Sequence, residues 1–102
     1  MRQAIVKVHD LEAGVLTETN DQQYRFTYHP NYIGSPVSLT MPVHTEGYDF
    51  ATFPPFFDGV LPEGGQLEGL LRVRKIGRND YFSQLLAVGQ DLVGAVTVFE
   101  KL

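Results

Sequence analysis

The sequence predicts an α+β fold: a small, mostly antiparallel sheet of about five strands covered by two to three helices, with a long proline-rich loop. Three observations predict it. Near both ends of the chain, apolar residues alternate with polar ones at the period of a half-buried strand. All six prolines fall between Pro30 and Pro62, which keeps regular helix and central sheet out of much of the middle. Leucines recur at helical spacing from Leu67 onward, after the last proline.

In chain order, Ala4-Ile5-Val6-Lys7-Val8-His9 puts positions 4, 6 and 8 on one apolar face of a first strand. Asp10 to Gly14 reads as a polar turn and Val15-Leu16-Thr17 as the returning strand. Turn chemistry at Thr19-Asn20-Asp21-Gln22 leads into Tyr24, Phe26 and Tyr28, which alternate with Arg25 and Thr27 as the third strand of an antiparallel meander. Val37-Ser38-Leu39-Thr40-Met41 is expected as a short strand before Pro42. The rest of the middle is expected to be ordered loop tied down by Tyr48, Phe50, Phe53, Phe56 and Phe57, and loops of that length are often functional. Leu67, Leu70 and Leu71, at i, i+3 and i+4, predict a helix from about Gly65 to Ile76 that Gly77 stops. Asn79 is expected to cap the next helix, with Asp80 in its first turn. Tyr81, Phe82, Leu85, Leu86 and Val88 give that helix a broad apolar face, buried against the sheet, until Gly89 ends it. Ala95-Val96-Thr97-Val98-Phe99 is the closing strand. With no repeat or linker in the sequence, residues 1–102 are expected to form one domain.

At 43% hydrophobic and 20% charged residues, the composition is that of a folded globular chain. The absence of cysteine excludes disulfides, thiolate nucleophiles and cysteine metal cages. No apolar run approaches the ~20 residues that span a bilayer, and charge interrupts the N-terminus too early for a secretion signal. No membrane association is expected, and a cytoplasmic location is. The net charge is −4, and half of the eight basic residues sit together as Arg72, Arg74, Lys75 and Arg78. A nucleic-acid module carries a basic excess across a whole face, so direct nucleic-acid binding is not expected. The cluster reads as a solvated helix end, where cations are favourable, or as a protein-binding patch.

A search for chemistry finds no active site. His9, His29 and His44 lack any paired ligand spacing, so no metal and no cofactor is expected. Ser35, Ser38 and Ser83 lack a G-x-S-x-G elbow. Glu63 and Glu68 are the one candidate acid–base pair, and they are read instead as residues of a turn and a helix start. Phosphoryl transfer needs a metal-holding aspartate, a catalytic base and a phosphate-clamping lysine. The sequence has no H-R-D, and Asp49-Phe50-Ala51 departs from D-F-G at its third residue. Gly64-Gly65 is too sparse for a phosphate-cradling loop. No catalytic residue is expected.

Three motifs carry a family resemblance. Ser38-Leu39-Thr40-Met41-Pro42 is similar to S-L-S-L-P. Phe56-Phe57-Asp58-Gly59-Val60-Leu61-Pro62-Glu63-Gly64 is similar to F-F-x-G-L-L-P-E-G. Asp80-Tyr81-Phe82, Leu85-Leu86-Ala87 and the run from Gly89 to Val96 are similar to D-x-F-x-L-L-x-x-x-G-x-D-x-x-G-A. Together they resemble the first N-terminal subdomain of HipA-type toxin kinases, in which a large kinase body follows. A chain ending at Leu102 is expected to carry that subdomain alone, and so resembles the HipS-like antitoxins of tripartite toxin–antitoxin systems.

The resemblance implies a HipT-like kinase toxin that lacks this subdomain as the direct partner, and through it a HipB-like helix-turn-helix protein that binds DNA. Neutralisation of the kinase is the implied role. A non-inhibitory assembly subunit is the first alternative, and a small ligand-binding or hydrolytic domain using Glu63, Glu68 and His44 is the second. The sequence lacks tryptophan, so aromatic anchoring falls to its seven phenylalanines and five tyrosines. The expected partner-binding residues are Phe56, Asp58, Leu61, Pro62, Glu63, Gly64, Gly65, Gln66 and Glu68. Two adjacent glycines let the backbone approach another surface closely. Glu63, Gln66 and Glu68 are placed to meet the lysine or metal that holds ATP phosphates in a kinase cleft.

Overall fold

The computed structural model describes residues 1–19, 22–92 and 94–101. It contains β1 (Arg2–Val8), β2 (Leu11–Glu18), β3 (Tyr24–Tyr28), β4 (Tyr48–Phe50), α1 (Pro55–Asp58), α2 (Gly64–Arg74), α3 (Tyr81–Val88) and β5 (Val96–Glu100). The strands form one antiparallel sheet in the order β4-β3-β2-β1-β5. The α+β class, the strand number and the antiparallel pairing agree with the sequence reading. None of the helices is long and apolar enough to cross a membrane, among the described residues.

Period-two alternation fixes which face is covered. Ala4, Val6 and Val8 of β1, Leu16 of β2, Tyr24, Phe26 and Tyr28 of β3 and Val98 of β5 are all buried. Ile5, Lys7, Val15, Thr17 and Thr27 alternate with them and stay partly exposed on the other face. Phe57, Phe82 and Leu85 complete the core from the helices. Burying each such side chain stabilises the fold by roughly 1.5–3 kcal/mol.

Several elements depart from the sequence reading. The turn expected over Asp10–Gly14 shrinks to His9 and Asp10, whose φ angles of 51° and 65° fit a two-residue hairpin loop. The strand starts at Leu11 and absorbs a bulge, because Val6 pairs with Gly14 while Lys7 pairs with Glu12, leaving Ala13 as the extra residue. Gly14 is required by close packing: a Cβ there would lie 2.3 Å from the Thr27 carbonyl oxygen and 2.9 Å from the Phe26 ring. Of the turn expected at Thr19–Gln22, Asn20 and Asp21 lie outside the described residues.

The strand expected over Val37–Met41 is not one. Its ends form an isolated bridge between Ser38 and Met41, and the Met41 N–H donates to the Ser38 carbonyl at 3.0 Å. The Tyr28 hydroxyl causes this by accepting from the Val37 N–H at 2.9 Å while donating to the Met41 carbonyl. The fourth strand is Tyr48–Phe50, read from sequence as loop anchors, which pairs with β3. The short helix α1, with proline at its start, also arises within the expected loop.

The helical part is corrected at its ends. α2 stops at Arg74, before Gly77, because Lys75 takes the left-handed conformation and the Ile76 N–H returns to the Leu71 carbonyl at 3.1 Å. Leu67, Leu70 and Leu71 share a face, yet no residue of α2 is buried. Asp80, not Asn79, caps α3, accepting from the Ser83 N–H at 3.2 Å. Gly89 does end α3, and close packing requires glycine there: a Cβ would lie 2.3 Å from the Val98 carbonyl oxygen. The buried side of α3 is Phe82, Gln84 and Leu85, whereas Leu86 is half-buried and Tyr81 is exposed. Gln84 is tolerated there because its amide donates to the Gly77 and Arg78 carbonyls at 3.2 and 2.9 Å.

Arg2 ties α3 to the sheet. Its guanidinium donates to Glu18 at 2.7 Å, to Asp80 at 2.9 Å and to the Ser83 hydroxyl at 2.7 Å, and it lies 5.0 Å from the centre of the Phe82 ring. Burial pushes the Asp80 carboxyl up, but hydrogen bonds from Arg2 and Ser83 outweigh it and hold the group below its ordinary value of 3.8.

Two predictions follow from this packing. Leu85→Ala should cost roughly 2–5 kcal/mol, and Leu86→Ala clearly less; urea unfolding of both variants checks the orientation of α3. Because the folded Asp80 has the lower pKa, its contribution is complete well above pH 3.8 and fades as pH falls through the folded value. The stability gap between wild type and Asp80→Asn should therefore be constant near neutrality and shrink in acid, as read from unfolding midpoints across the pH range.

Candidate partner-binding surface

The segment from Phe56 to Glu68 is built on one buried ring. Phe57 is fully buried and lies 6.3 Å from Phe26 of β3, centre to centre. Phe56 stands edge-on to Phe57 at 5.2 Å and is half-buried. α1 holds the pair by hydrogen bonds from the Asp58 and Gly59 N–H groups to the Pro54 and Pro55 carbonyls, at 2.9 and 3.0 Å. The Val60 and Leu61 N–H groups then bond back to Phe57 and Asp58, both at 3.2 Å. The backbone is thereby fixed up to Pro62.

Beyond it, the chain turns outward. Leu61 and Pro62 are half-buried, whereas Asp58, Glu63, Gly64, Gly65, Gln66 and Glu68 are exposed. Gly64 has a φ of 59°, which a residue with a Cβ adopts only under strain. Glu63 occupies the N-cap position of α2, but its carboxylate makes no hydrogen bond to the helix. Gln66 likewise has no side-chain partner among the described residues. Glu68 differs from both, because its two oxygens take the Arg78 guanidinium at 2.7 and 2.9 Å.

A groove of about 540 Å³ runs beside this turn, with Val60, Leu61, Val88 and Leu92 among its apolar lining and Glu63 and Asp91 as its carboxylates. Such a groove suits a segment that is apolar along its length and carries a cation. A second depression adjoins it through Val60 and Leu92, and a third meets that second one at Phe56. The nine residues expected from the sequence thus fall into two groups: Phe56, Leu61 and Pro62 support the surface, and Asp58, Glu63, Gly64, Gly65, Gln66 and Glu68 present it.

Sequence reasoning missed Val88, Asp91 and Leu92 as groove residues. Asp91 and Leu92 stand in the Gly89-Gln90-Asp91-Leu92 stretch of the third motif, which was the available signal, and Val88 directly precedes it; Val93 of that motif lies outside the described residues. The alternative group of Glu63, Glu68 and His44 does not come together. The His44 ring is tilted against Tyr48 at 4.7 Å, outside the groove that Glu63 lines, and Glu68 is engaged by Arg78. Among the described residues, no three histidines or carboxylates are gathered as metal ligands.

Known proteins share both the sequence pattern and the fold. The HipA N-terminal domain family matches residues 4–99. The chain belongs to that family. An uncharacterized protein of Haemophilus influenzae is 32% identical over 88 residues, covering 86% of this chain and 82% of its own. The N-terminal domain of HipA toxin superposes with a TM-score of 0.80 at 26% identity, over all of this chain and 94% of that one. HipA N-terminal domain membership places the chain in a toxin–antitoxin context.

The glycines of this HipA N-terminal domain allow a test of the turn. A Cβ meets nothing within 4 Å at Gly64 or at Gly69, so backbone conformation alone should set the outcome. Gly64→Ala should lose roughly 1–2 kcal/mol through its left-handed φ. Gly69→Ala, inside α2, should gain about 0.5–1 kcal/mol. Opposite shifts in the urea midpoint are the expected result.

Proposed function

We propose that this chain is an antitoxin that binds and neutralises a separate HipT-like serine/threonine kinase toxin. It supplies in trans the N-terminal subdomain which that kinase lacks. Through the kinase it joins a HipB-like helix-turn-helix protein, which contacts DNA in its place, and the complex acts in the cytoplasm. Membership of the HipA N-terminal domain family supports the kinase partner. The missing H-R-D and D-F-G elements support a non-catalytic role, with phosphoryl transfer left to the partner.

The observation that carries the reading is the turn at Pro62–Gln66. It leaves a backbone anchored by the buried Phe57 and offers outward two polar side chains, Glu63 and Gln66, that have no partner among the described residues. A preorganised turn enters a cleft without the cost of ordering a loop. In a kinase cleft the Glu63 carboxylate meets the lysine or metal that otherwise holds ATP phosphates, and Gln66 supplies a hydrogen bond beside it. Glu68 contributes less directly, because Arg78 already neutralises it.

Replacing Glu63, Gln66 and Glu68 together by alanine should leave the fold nearly as stable as wild type, since exposed positions cost little. Protection of cells expressing the kinase should fall at equal antitoxin dose. A triple variant that still binds the kinase and protects as well as wild type would move inhibition to another face. Wild type that binds the kinase without lowering its activity would make this chain an assembly subunit.

A further inference from the structure

Two large aliphatic side chains stand almost wholly in solvent, on the part of the chain that carries no charge. Ile33 is 97% and Leu39 is 95% exposed, and residues 30 to 43 contain no acid, base or histidine. Scattered exposed aliphatics are ordinary on protein surfaces. These two differ because the backbone that carries them is fixed. The Tyr28 hydroxyl joins Val37 to Met41, the Tyr48 hydroxyl donates to the Pro42 carbonyl, and the Tyr32 hydroxyl donates to the Ser35 carbonyl. The Tyr32 ring also stacks on Tyr28 at 5.8 Å. Within the Leu39 turn, the Ser38 hydroxyl accepts from the Thr40 N–H at 3.2 Å and lies 2.9 Å from the Thr40 hydroxyl. Val37 and Met41 point inward, at 5% and 2% exposure, and leave Leu39 between them as the outermost point.

Three tyrosine hydroxyls therefore hold a neutral loop with two aliphatic knobs facing out. Both side chains lie almost wholly outside the core, and a partner that covers them need not order the loop. The loop is also continuous with the surface described above. Thr40 and Met41 line the same groove of about 290 Å³ as Phe56, and Ser35, Pro36 and Val37 line a second, of about 360 Å³, with Phe56 and Val60.

We infer that Ile33 and Leu39 are apolar anchors that insert into uncharged sockets on the kinase partner, as a second contact beside the Phe56–Glu68 turn. This rests on the antitoxin reading. The loop shares two grooves with Phe56 and Val60 of the turn, and that continuity favours one partner for both. A membrane surface is disfavoured, because the loop has no lysine or arginine to meet anionic lipid and the chain is net negative. A two-fold pairing of this face with a second copy is disfavoured because it brings the acidic rim of Asp58, Glu63 and Asp91 towards its own like charges.

The test uses the full chain as wild type, Ile33→Asp, Leu39→Asp and Leu39→Met. Titration calorimetry measures binding to the HipA-family kinase encoded beside this chain. Thermal melts, sedimentation of the chain alone and flotation with phosphatidylserine vesicles accompany it. Both aspartate variants should melt with wild type and bind the kinase at least about tenfold more weakly, as expected for buried anchors, while Leu39→Met binds nearly as wild type. If wild type binds and both aspartate variants bind equally well, the anchor assignment is overturned and the antitoxin reading stands. If wild type binds no such kinase, the antitoxin reading falls and takes this inference with it. Self-association or vesicle binding of wild type that Leu39→Asp abolishes would assign the knobs to a second copy or to lipid, and would overturn the kinase as occupant.

Discussion

Three aromatic rings on the inner face of β3 hold the middle of this molecule to its sheet. Tyr24, Phe26 and Tyr28 are buried side by side, and each engages a different part of the chain that follows. Tyr24 meets Phe53 edge-on at 5.2 Å, and Phe26 meets Phe57 at 6.3 Å. Tyr28 grips both ends of the turn from Val37 to Met41 through its hydroxyl. Burial raises the pKa of that hydroxyl, so it keeps its proton, and both the donor and the acceptor role, across ordinary conditions. The proline-rich segment has little regular structure to stabilise it. Its order comes from these contacts, each burying a ring or satisfying a polar group that would otherwise be costly.

A division of labour follows from that constraint. Phe57 is committed to the core, so the residues next to it are fixed in space without being buried themselves. Phe56, Leu61 and Pro62 rest partly on the core, and the chain then leaves it through Gly64. α2 has no buried residue. Its position depends on α3, which Asp80 and Ser83 bind to Arg2 at the start of β1, beside Glu18 at the end of β2. The outward turn therefore lies between a rigid support and a lightly held helix. In this HipA N-terminal domain, an exposed turn thus follows directly on a fixed support.

Much of this was legible in the residues. β1, β3, β5 and α3 appear close to where their periodicity puts them, because a strand or helix with one covered face writes its period into the sequence. The segment from Phe56 to Glu68 stood out in the sequence because a proline and two glycines interrupt an aromatic and apolar run. Less legible was β2, where a bulge at Ala13 and a glycine kept free for the Phe26 ring resemble turn chemistry. The apolar alternation of Val37, Leu39 and Met41 read as a strand, yet only two of the three side chains turn inward. The pairing of Glu68 with Arg78 gave no local sign, and the place of Asp91 and Leu92 in the groove showed only as membership of the third motif.

By itself, then, the sequence determined the α+β class, the sheet's covered face, the helix near Tyr81–Val88 and the motifs of the HipA N-terminal domain family. Each of these depends on side-chain type and spacing within a short window. The tertiary structure alone decided which three residues form β4, where α2 stops, which side of α3 is buried and which carboxylates remain free. Those features depend on groups far apart in the chain. Tyr48–Phe50 becomes a strand only by pairing with β3. Asp80 becomes the cap where Arg2 reaches it, and Leu39 becomes a knob where the Tyr28 hydroxyl closes the turn beneath it. Non-local pairing of this kind leaves no periodic trace in the segment it shapes.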